Sequence, residues 1–336
     1  MFRRPVIVKN VKDANVRTHA SIFHADETMC TAILCCINDD VRVLRVLADP
    51  EDPDGVDEPL TYDIGKGRYD HHQEDKEFRK EGYPYAACGL IYKDFGKEAI
   101  RSILEDEKRS YPIVAITDEI VDGIFEIVDD VLIKGIDGAD NGICGYSVAN
   151  WVKEAVDGDI QGSFIEKKFS PYTFSYYIHQ LNPKWYEGVK GNDGYFLDAV
   201  EKCYEVFRTA VCSALEVVLA KQVIEDRIME SNNHIMVLGY FVPWQENLFA
   251  SKNEKACDIW YVVFPSIRGG WCVQVVPEEF GSYAQKKPFP TTWRNHPEET
   301  GVKGCTFVHS NGFLASCVDF DKAILLAEKA VEFNKE

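Results

Sequence analysis

The chain has 336 residues, 46% hydrophobic and 27% charged, which is enough for two domains with their own cores and carries no signature of disorder. A formal net charge of -18 is the wrong sign for non-specific duplex binding, because a negative field repels phosphates at long range. It leaves a phosphate-processing enzyme open, since bound cations and a local basic patch override the overall sign.

Val16 to His19 reads as the end of a strand that runs into a polar turn. Met29, Ala32, Ile33, Cys36 and Ile37 then recur at helical spacing, so a helix begins near Asp26. His19, His24 and Asp26 fall in the turn, where an open α/β sheet places its ligand-binding groups. Asp26 as a plain helix cap and His19 as a satisfied buried histidine are the ordinary readings of either residue alone. Val41 to Leu47 is a second, β-branched strand, and Asp49 to Pro59 is an acidic, solvated loop. Leu60 to Ile64 is a short third strand holding Asp63, a carboxylate that is costly in an apolar run unless it is paired or bound to metal. Gly65-Lys66-Gly67-Arg68 lacks the spacing of a phosphate-binding P-loop and leads straight to Asp70-His71-His72. One hard oxygen and two imidazole nitrogens in a row suit a divalent metal, not a core.

Ala86 to Phe95, Glu98 to Leu104 and Thr117 to Ile136 carry helical periodicity. The last helix is expected to finish at Gly135-Ile136-Asp137-Gly138-Ala139-Asp140-Asn141-Gly142, a backbone that turns tightly while presenting carboxylates. Phe164 to Tyr186 is aromatic-rich with a Lys167-Lys168 pair, a mixture that stacks bases or, more commonly, packs beneath a domain junction. Gly194 to Met229 reads as one or two connecting helices. Strands follow at His234 to Leu238, Ile259 to Pro265, Trp271 to Val276 and Gly304 to His309. A basic, aromatic segment runs from Gln285 to Arg294, a turn lies at Ser310 to Phe313, and a terminal helix begins near Asp319. The expected fold is α/β. A catalytic domain over residues 1–190 has a mostly parallel sheet flanked by helices, a helical connector spans 191–230, and a smaller α/β domain for substrate spans 231–336.

The 11 cysteines are an odd number in mostly apolar settings such as Cys30, Cys35 and Cys36, with no Cys-x-x-Cys pair, and read as reduced core thiols. No apolar run approaches a bilayer span, and Met1 to Asn10 carries neither a secretory nor a mitochondrial signature. A soluble intracellular protein is expected, with cytoplasm, nucleus and mitochondrion equally open.

Brought together at the ends of a parallel sheet, His19/His24/Asp26, Asp63, Asp70/His71/His72 and Asp137/Asp140 would hold two adjacent cations with one bridging carboxylate. Such a pair generates hydroxide at neutral pH and clamps the oxygens of an in-line phosphoryl displacement. The expected chemistry is metal-dependent hydrolysis of a phosphate ester or anhydride.

The order of these clusters, with Asp-His-His third, resembles the DHH phosphoesterase superfamily. More narrowly, Thr18 to Glu27, Arg68 to Gln73, Ile136 to Ile143, Phe241 to Trp244, Trp271 to Pro277 and Cys305 to Phe313 resemble the Myg (melanocyte proliferating gene) exonuclease family over nearly the whole chain. The resemblance implies that His19, His24, Asp26, Asp63, His71 and Asp137 bind metal, with Asp63 bridging. It implies that His72, Asp63 and Asp26 serve the chemistry, His72 by contacting the scissile phosphate, and that Asp70 and Asp140 orient the ligands from behind. It further implies two divalent cations, manganese first and magnesium second, and 3′ to 5′ exonuclease action on single-stranded RNA. The second domain would hold that substrate through Lys287, Arg294, His309, Asn311 and Gly312.

The chain departs from the pattern in three places. The superfamily's first motif usually offers aspartate where His24 stands, and family members carry Asn-Gly where Ala20-Ser21 stands. They also carry Gly-Phe-Ile-Gly-Gly where this chain reads Gly312-Phe313-Leu314-Ala315-Ser316. The rival readings are a small-molecule phosphoesterase or pyrophosphatase acting on a short nucleotide, a non-catalytic RNA- or protein-binding member, and a protein with one structural zinc or no metal.

Overall fold

Four short strands, β1 (Val6–Val8), β2 (Val16–His19), β3 (Arg42–Val46) and β4 (Leu60–Thr61), form a wholly parallel sheet in the order β1-β3-β2-β4 in the computed structural model. The model describes residues 2–110, 115–143, 172–187 and 192–333. The Lys167-Lys168 pair and the start of the aromatic segment lie outside the described residues. Val16 pairs with Val43 on one side of β2 and with Leu60 on the other, so β2 is central and its carboxyl end delivers His19 to the sheet rim.

Parallel neighbours require crossovers. Helix α1 (Ala25–Ile37) connects β2 to β3, and every residue from Ala25 to Cys35 is buried. It is a helix apolar or sequestered on all sides, packed against α2 (Ala87–Ser110). The two helical segments expected over residues 86–104 are this one helix. Gly96 does not break it, because a side chain there would meet the Tyr92 ring at 2.6 Å, and Tyr92 in turn stacks on Phe125 with ring centroids 4.5 Å apart.

The helix expected over 117–136 is interrupted. α3 (Asp118–Val128), capped by Thr117, passes into a π-helical turn at Asp129–Ile133 and then into α4 (Lys134–Asp140). Here the expectation of a tight turn at 135–142 is corrected: the backbone stays helical through Asp140, and the left-handed residue is Gly142 (φ 71°). α4 thus carries Asp137 and Asp140 three apart on one helical face. α5 (Phe174–Gln180) and the long α6 (Asn192–Glu230) follow.

The chain divides into two compact units, Met1–Ala214 and Leu215–Glu336, with the division inside α6. The second unit is built on a mixed sheet of β5 (Ile235–Val237), β6 (Tyr261–Pro265), β7 (Trp271–Val275), β8 (Cys305–Val308) and β9 (Leu314–Cys317). Its order is β5-β6-β7-β9-β8, with β5 and β6 parallel and the remaining neighbours antiparallel. Side chains alternate between its faces: Tyr261 and Val263 pack with Leu326 and Ala327 of α9 (Phe320–Glu332), whereas Val262 and Phe264 pack with Ile224 and Ile228. Two short helices, α7 (Gln245–Ala250) and α8 (Glu254–Cys257), complete the unit. The molecule is therefore α/β, with a parallel four-stranded sheet flanked by helices and a second mixed sheet, as expected. Among the described residues no helix is long and apolar enough to cross a membrane.

Candidate metal centre

His19 closes β2, and the loop after it is pinned from outside. Phe23 N–H donates to Asn182 Oδ1 (2.9 Å), Asn182 Nδ2 donates back to the Phe23 carbonyl (2.8 Å), and Arg45 donates to the Ser21 carbonyl (3.1 Å). His19 Nδ1 lies 3.0 Å from the Ala20 carbonyl oxygen. A carbonyl only accepts, so in the neutral ring the proton sits on Nδ1 and the lone pair on Nε2. That Nε2 is 3.2 Å from Asp63 Oδ2 and 3.2 Å from Glu27 Oε1. Burial opposes charge on this ring, but the bonds to Asp63 and Glu27 outweigh it and lift the pKa to about 11.

Asp63 lies just beyond β4 in the left-handed region, with φ 54°, a costly conformation for a non-glycine residue that the neighbouring structure enforces. Its N–H donates to the Tyr69 carbonyl at 2.9 Å, tying it to the Asp-His-His segment. The two carboxylate oxygens part company: Oδ2 faces His19, and Oδ1 faces His71 Nδ1 at 3.6 Å.

His71 completes the second half. Its Nε2 is 2.9 Å from Asp140 Oδ2, which fixes the proton there in the neutral ring and leaves Nδ1 as a bare acceptor. Nδ1 is buried without a hydrogen-bond partner, 3.7 Å from Asp26 Oδ2 and 3.6 Å from Asp63 Oδ1. A lone pair enclosed by two carboxylates is repulsive unless a proton or a cation lies between them, and the nitrogen and two oxygens converging there fit a divalent metal. The adjacent ring is held by Asp70, whose Oδ1 is 2.7 Å from His72 Nδ1 and also accepts from His72 N–H, while Oδ2 accepts from Lys66 N–H at 2.6 Å. Burial would raise the Asp70 pKa, but these bonds prevail and hold it at about 2.

Asp26 is 1% exposed and lies beneath the cleft; its oxygens accept from Cys88 N–H (2.6 Å) and Ala87 N–H (3.0 Å), free first-turn donors of α2. It is thus not the cap of its own helix. Burial, then the charges of Asp63, Asp140 and Asp137, push its carboxyl well above the usual range. Asp137 lies behind it, with Oδ1 accepting from Gly89 N–H (2.9 Å) and Oδ2 from Arg79 Nε (2.7 Å). The same guanidinium forks onto Asp129 at 2.8 and 2.9 Å, at the start of the π turn. Burial carries Asp137 up to about 7 even against Arg79.

The cleft above these groups has a volume of about 670 Å³ and is lined by His19, His24, Asp63, His71, His72 and Asp140, among others. Three sets of ligand atoms, His19/His24/Glu27/Asp63, Asp63/Asp70/His71/His72 and Asp26/His71/Asp140, each fall within 4.8 Å of one another. The structure therefore brings together His19, His24, Asp26, Asp63, Asp70, His71, His72 and Asp140. Asp137 touches this assembly from behind, in a fourth set with Asp26 and Cys88.

Four contributors escaped sequence reasoning. Glu27, fully buried, receives the His24 N–H on both oxygens at 3.0 Å, and its position three residues after the helix cap was the available signal. Lys66, Arg79 and Asn182 act from loops whose approach only the fold reveals.

In the second unit, Gly312 has φ 72°, and an added side chain would lie 2.7 Å from Arg294 Nε, which itself donates to the Phe289 carbonyl (3.0 Å). His309 Nδ1 accepts from Asn311 N–H (3.0 Å). Arg294, His309, Asn311 and Gly312 thus share one turn region. Lys287 is engaged elsewhere, donating to the Val331 carbonyl with its ammonium 5.1 Å from the centre of the Trp260 ring. Ala315, at a position where the resemblance implies glycine, is wholly buried between Val273 and Val308, so its methyl fills core.

A family model described as "Uncharacterised protein family (UPF0160)", with the short name MYG1_exonuc, matches residues 15–331. The chain is 27% identical over 344 residues to a MYG1 protein of Schizosaccharomyces pombe, covering 95% of this chain and 97% of that one. It is 26% identical over 343 residues to the MYG1 protein of Dictyostelium discoideum, covering 96% and 97%. It is 26% identical over 329 residues to the MYG1 exonuclease of Mus musculus, covering 89% and 80%. No solved structure matches the chain.

Proposed function

The chain belongs to the MYG1 family (UPF0160), and from that premise we propose that it is a metal-dependent phosphodiesterase of the DHH type, a 3′ to 5′ exonuclease acting on single-stranded RNA. The observation that carries the reading is Asp63: one oxygen faces His19 Nε2 at 3.2 Å, the other faces the orphaned His71 Nδ1 at 3.6 Å. A carboxylate so divided is what a bridging ligand requires. His19, His24 and Asp63 would hold one divalent cation, and Asp26, Asp63 and His71 the other, with manganese favoured over magnesium because imidazole nitrogens contribute to both sets.

Bound cations supply Lewis acidity toward the phosphodiester and acidify water. The protein's own groups do the rest. Asp140 holds His71 in the tautomer that keeps Nδ1 free, and the Ala20 carbonyl does the same for His19 Nε2. His72 is 61% exposed on its side chain, and its bond to Asp70 raises its pKa, which favours the protonated ring whose Nε2–H is available to the cleft. We assign that N–H to a non-bridging oxygen of the scissile phosphate, where it stabilises developing charge as water adds to phosphorus and the preceding 3′-oxygen leaves. Arg294, His309, Asn311 and Gly312 form the proposed RNA-holding turn of the second unit, with Asp137 and Asp70 supporting the centre. Lys287, already bonded to a carbonyl, is the weakest member of that set.

Residues 1–190 are proposed as the catalytic domain, 191–230 as the connector and 231–336 as the substrate domain. The test compares a 5′-labelled single-stranded RNA with a dinucleotide and pyrophosphate, each with manganese, for wild type and His71→Ala. Stepwise shortening from the 3′ end, lost in His71→Ala, is expected. Intact RNA beside rapid turnover of a small compound would replace the RNA assignment. Absence of manganese binding would remove the mechanism.

A further inference from the structure

Strands β8 and β9 place Cys305 directly opposite Cys317. Val318 N–H donates to the Gly304 carbonyl at 2.9 Å, and Cys305 N–H goes to Val302 rather than across to Cys317. On the Gly304–Val318 side this is the pattern of a non-hydrogen-bonded antiparallel pair, and on the other side the register shifts between Cys305 and Phe307; regular pairs of this kind hold their Cα atoms about 4.5 Å apart with side chains at their closest. Disulfides span Cα separations of roughly 4.4–6.8 Å. The Cys305 S–H donates to the Phe307 carbonyl at 3.8 Å, on the same hairpin. Both residues belong to the same face of the sheet, Cys317 inside the core and Cys305 packed partly buried against it.

We propose that Cys305 and Cys317 are a redox-active dithiol that a small disulfide such as oxidised glutathione converts to an intramolecular disulfide. The division of labour follows from exposure. Cys305 is reachable from solvent, and its Cys317 neighbour draws its pKa down, which favours its thiolate as the attacking group. Cys317 is 2% exposed, with its own pKa raised, and cannot be the first to attack. The Cys305 thiolate attacks one sulfur of glutathione disulfide, breaking that S–S bond and releasing one glutathione thiolate. Cys317 then gives up its proton and displaces the second glutathione from the mixed disulfide. Two protein thiols lose two electrons and two protons, and one glutathione disulfide becomes two glutathiones.

Most other thiols are set differently. Cys30, Cys35, Cys88, Cys203 and Cys272 are buried, and burial pushes Cys35, Cys36 and Cys203 upward. The pair also stands at the base of the hairpin whose tip carries His309, Asn311 and Gly312. A cross-link there would fix the strand spacing directly beneath the tip. The chemistry itself stands apart from the nuclease reading.

The test incubates the native full-length chain with oxidised glutathione, traps free thiols with iodoacetamide and maps the peptides by mass. Expected is a Cys305–Cys317 cross-link that forms ahead of any other cysteine modification and is reversed by dithiothreitol. Cys317→Ser should stop at a stable glutathione adduct on Cys305, and Cys305→Ser should give neither adduct nor cross-link at Cys317. Recovery of Cys305 as the alkylated thiol while other cysteines are oxidised would overturn the proposal, as would pairing with a different cysteine. Because replacing buried Cys317 risks the fold, the wild type supplies a second measurement. Its Cys305 alkylation rate should rise with a midpoint near pH 7, and a midpoint at the ordinary thiol value of 9.0 would remove Cys305 as the attacking group.

Discussion

Replacing Asp63 by Asn keeps the side chain's volume and removes the charge from both oxygens, the one 3.2 Å from His19 and the one 3.6 Å from His71. If each oxygen serves a different cation, one substitution weakens both positions at once. Each of the two manganese ions, at one hundred times its dissociation constant, should stabilise the wild-type protein by about 2.7 kcal/mol. For a unit of roughly 150–250 residues each kcal/mol moves the melting temperature by about 2–4 °C, giving a shift of roughly 5–11 °C for each ion. Asp63→Asn should lose nearly all of that shift. In chelator it should melt no earlier than the wild type by more than ~1 kcal/mol equivalent, because the charge lost from a crowded acidic pocket offsets the weakened bond to His19. Differential scanning fluorimetry with chelator and with manganese, alongside electron paramagnetic resonance counting of bound manganese, measures both. Two manganese ions bound to Asp63→Asn with the full thermal shift would refute the bridging assignment.

Asp140→Asn should leave the fold intact and lower manganese affinity about 10–100-fold, read by titration calorimetry, since the His71 tautomer is no longer enforced. Asp70 has a folded pKa of about 2, below its ordinary 3.8, so its contribution is complete above 3.8 and disappears as pH falls through 2. In the metal-free protein that contribution is about 2 kcal/mol, and acid unfolding of Asp70→Asn should begin from a lower stability and lack this limb. Arg79→Met strips the cation from buried Asp137 and from Asp129, and should cost about 3–5 kcal/mol in urea unfolding; adding Asp137→Asn should recover part of it. Gly89→Ala would drive a methyl to within 2.1 Å of Asp137 Oδ2, and a loss of about 1–3 kcal/mol with weakened manganese binding is expected.

The sequence exposes this centre unevenly, and the reasons are physical. His19 and Asp63 sit at the ends of short strands, where a polar side chain is conspicuous because burial would otherwise be costly, and His71 stands out by its place in Asp70-His71-His72. Asp137 and Asp140 are harder to tell apart: both lie in a Gly-rich segment that reads as a turn but folds as a helix, and only the fold shows that Asp140 lines the cleft while Asp137 turns to Gly89 and Arg79. Gly96 likewise reads as a break in α2 and instead accommodates the Tyr92 ring. Three-residue β1 and the weakly β-forming Leu-Ala-Ser-Cys of β9 carry little local signal and owe their existence to pairing partners. Arg79 and Asn182 have no local signature at all, since their partners are 58 and 159 residues distant.

The start of α2 directs the amides of Ala87, Cys88 and Gly89 at Asp26 and Asp137. These donors, together with the positive end of the helix, compensate anionic groups before any ion arrives. An ion-free molecule would therefore retain its architecture, and ion loss would silence it without denaturing it. Availability of the cation would then set the active fraction of a standing pool of folded protein, reversibly and without turnover of the chain.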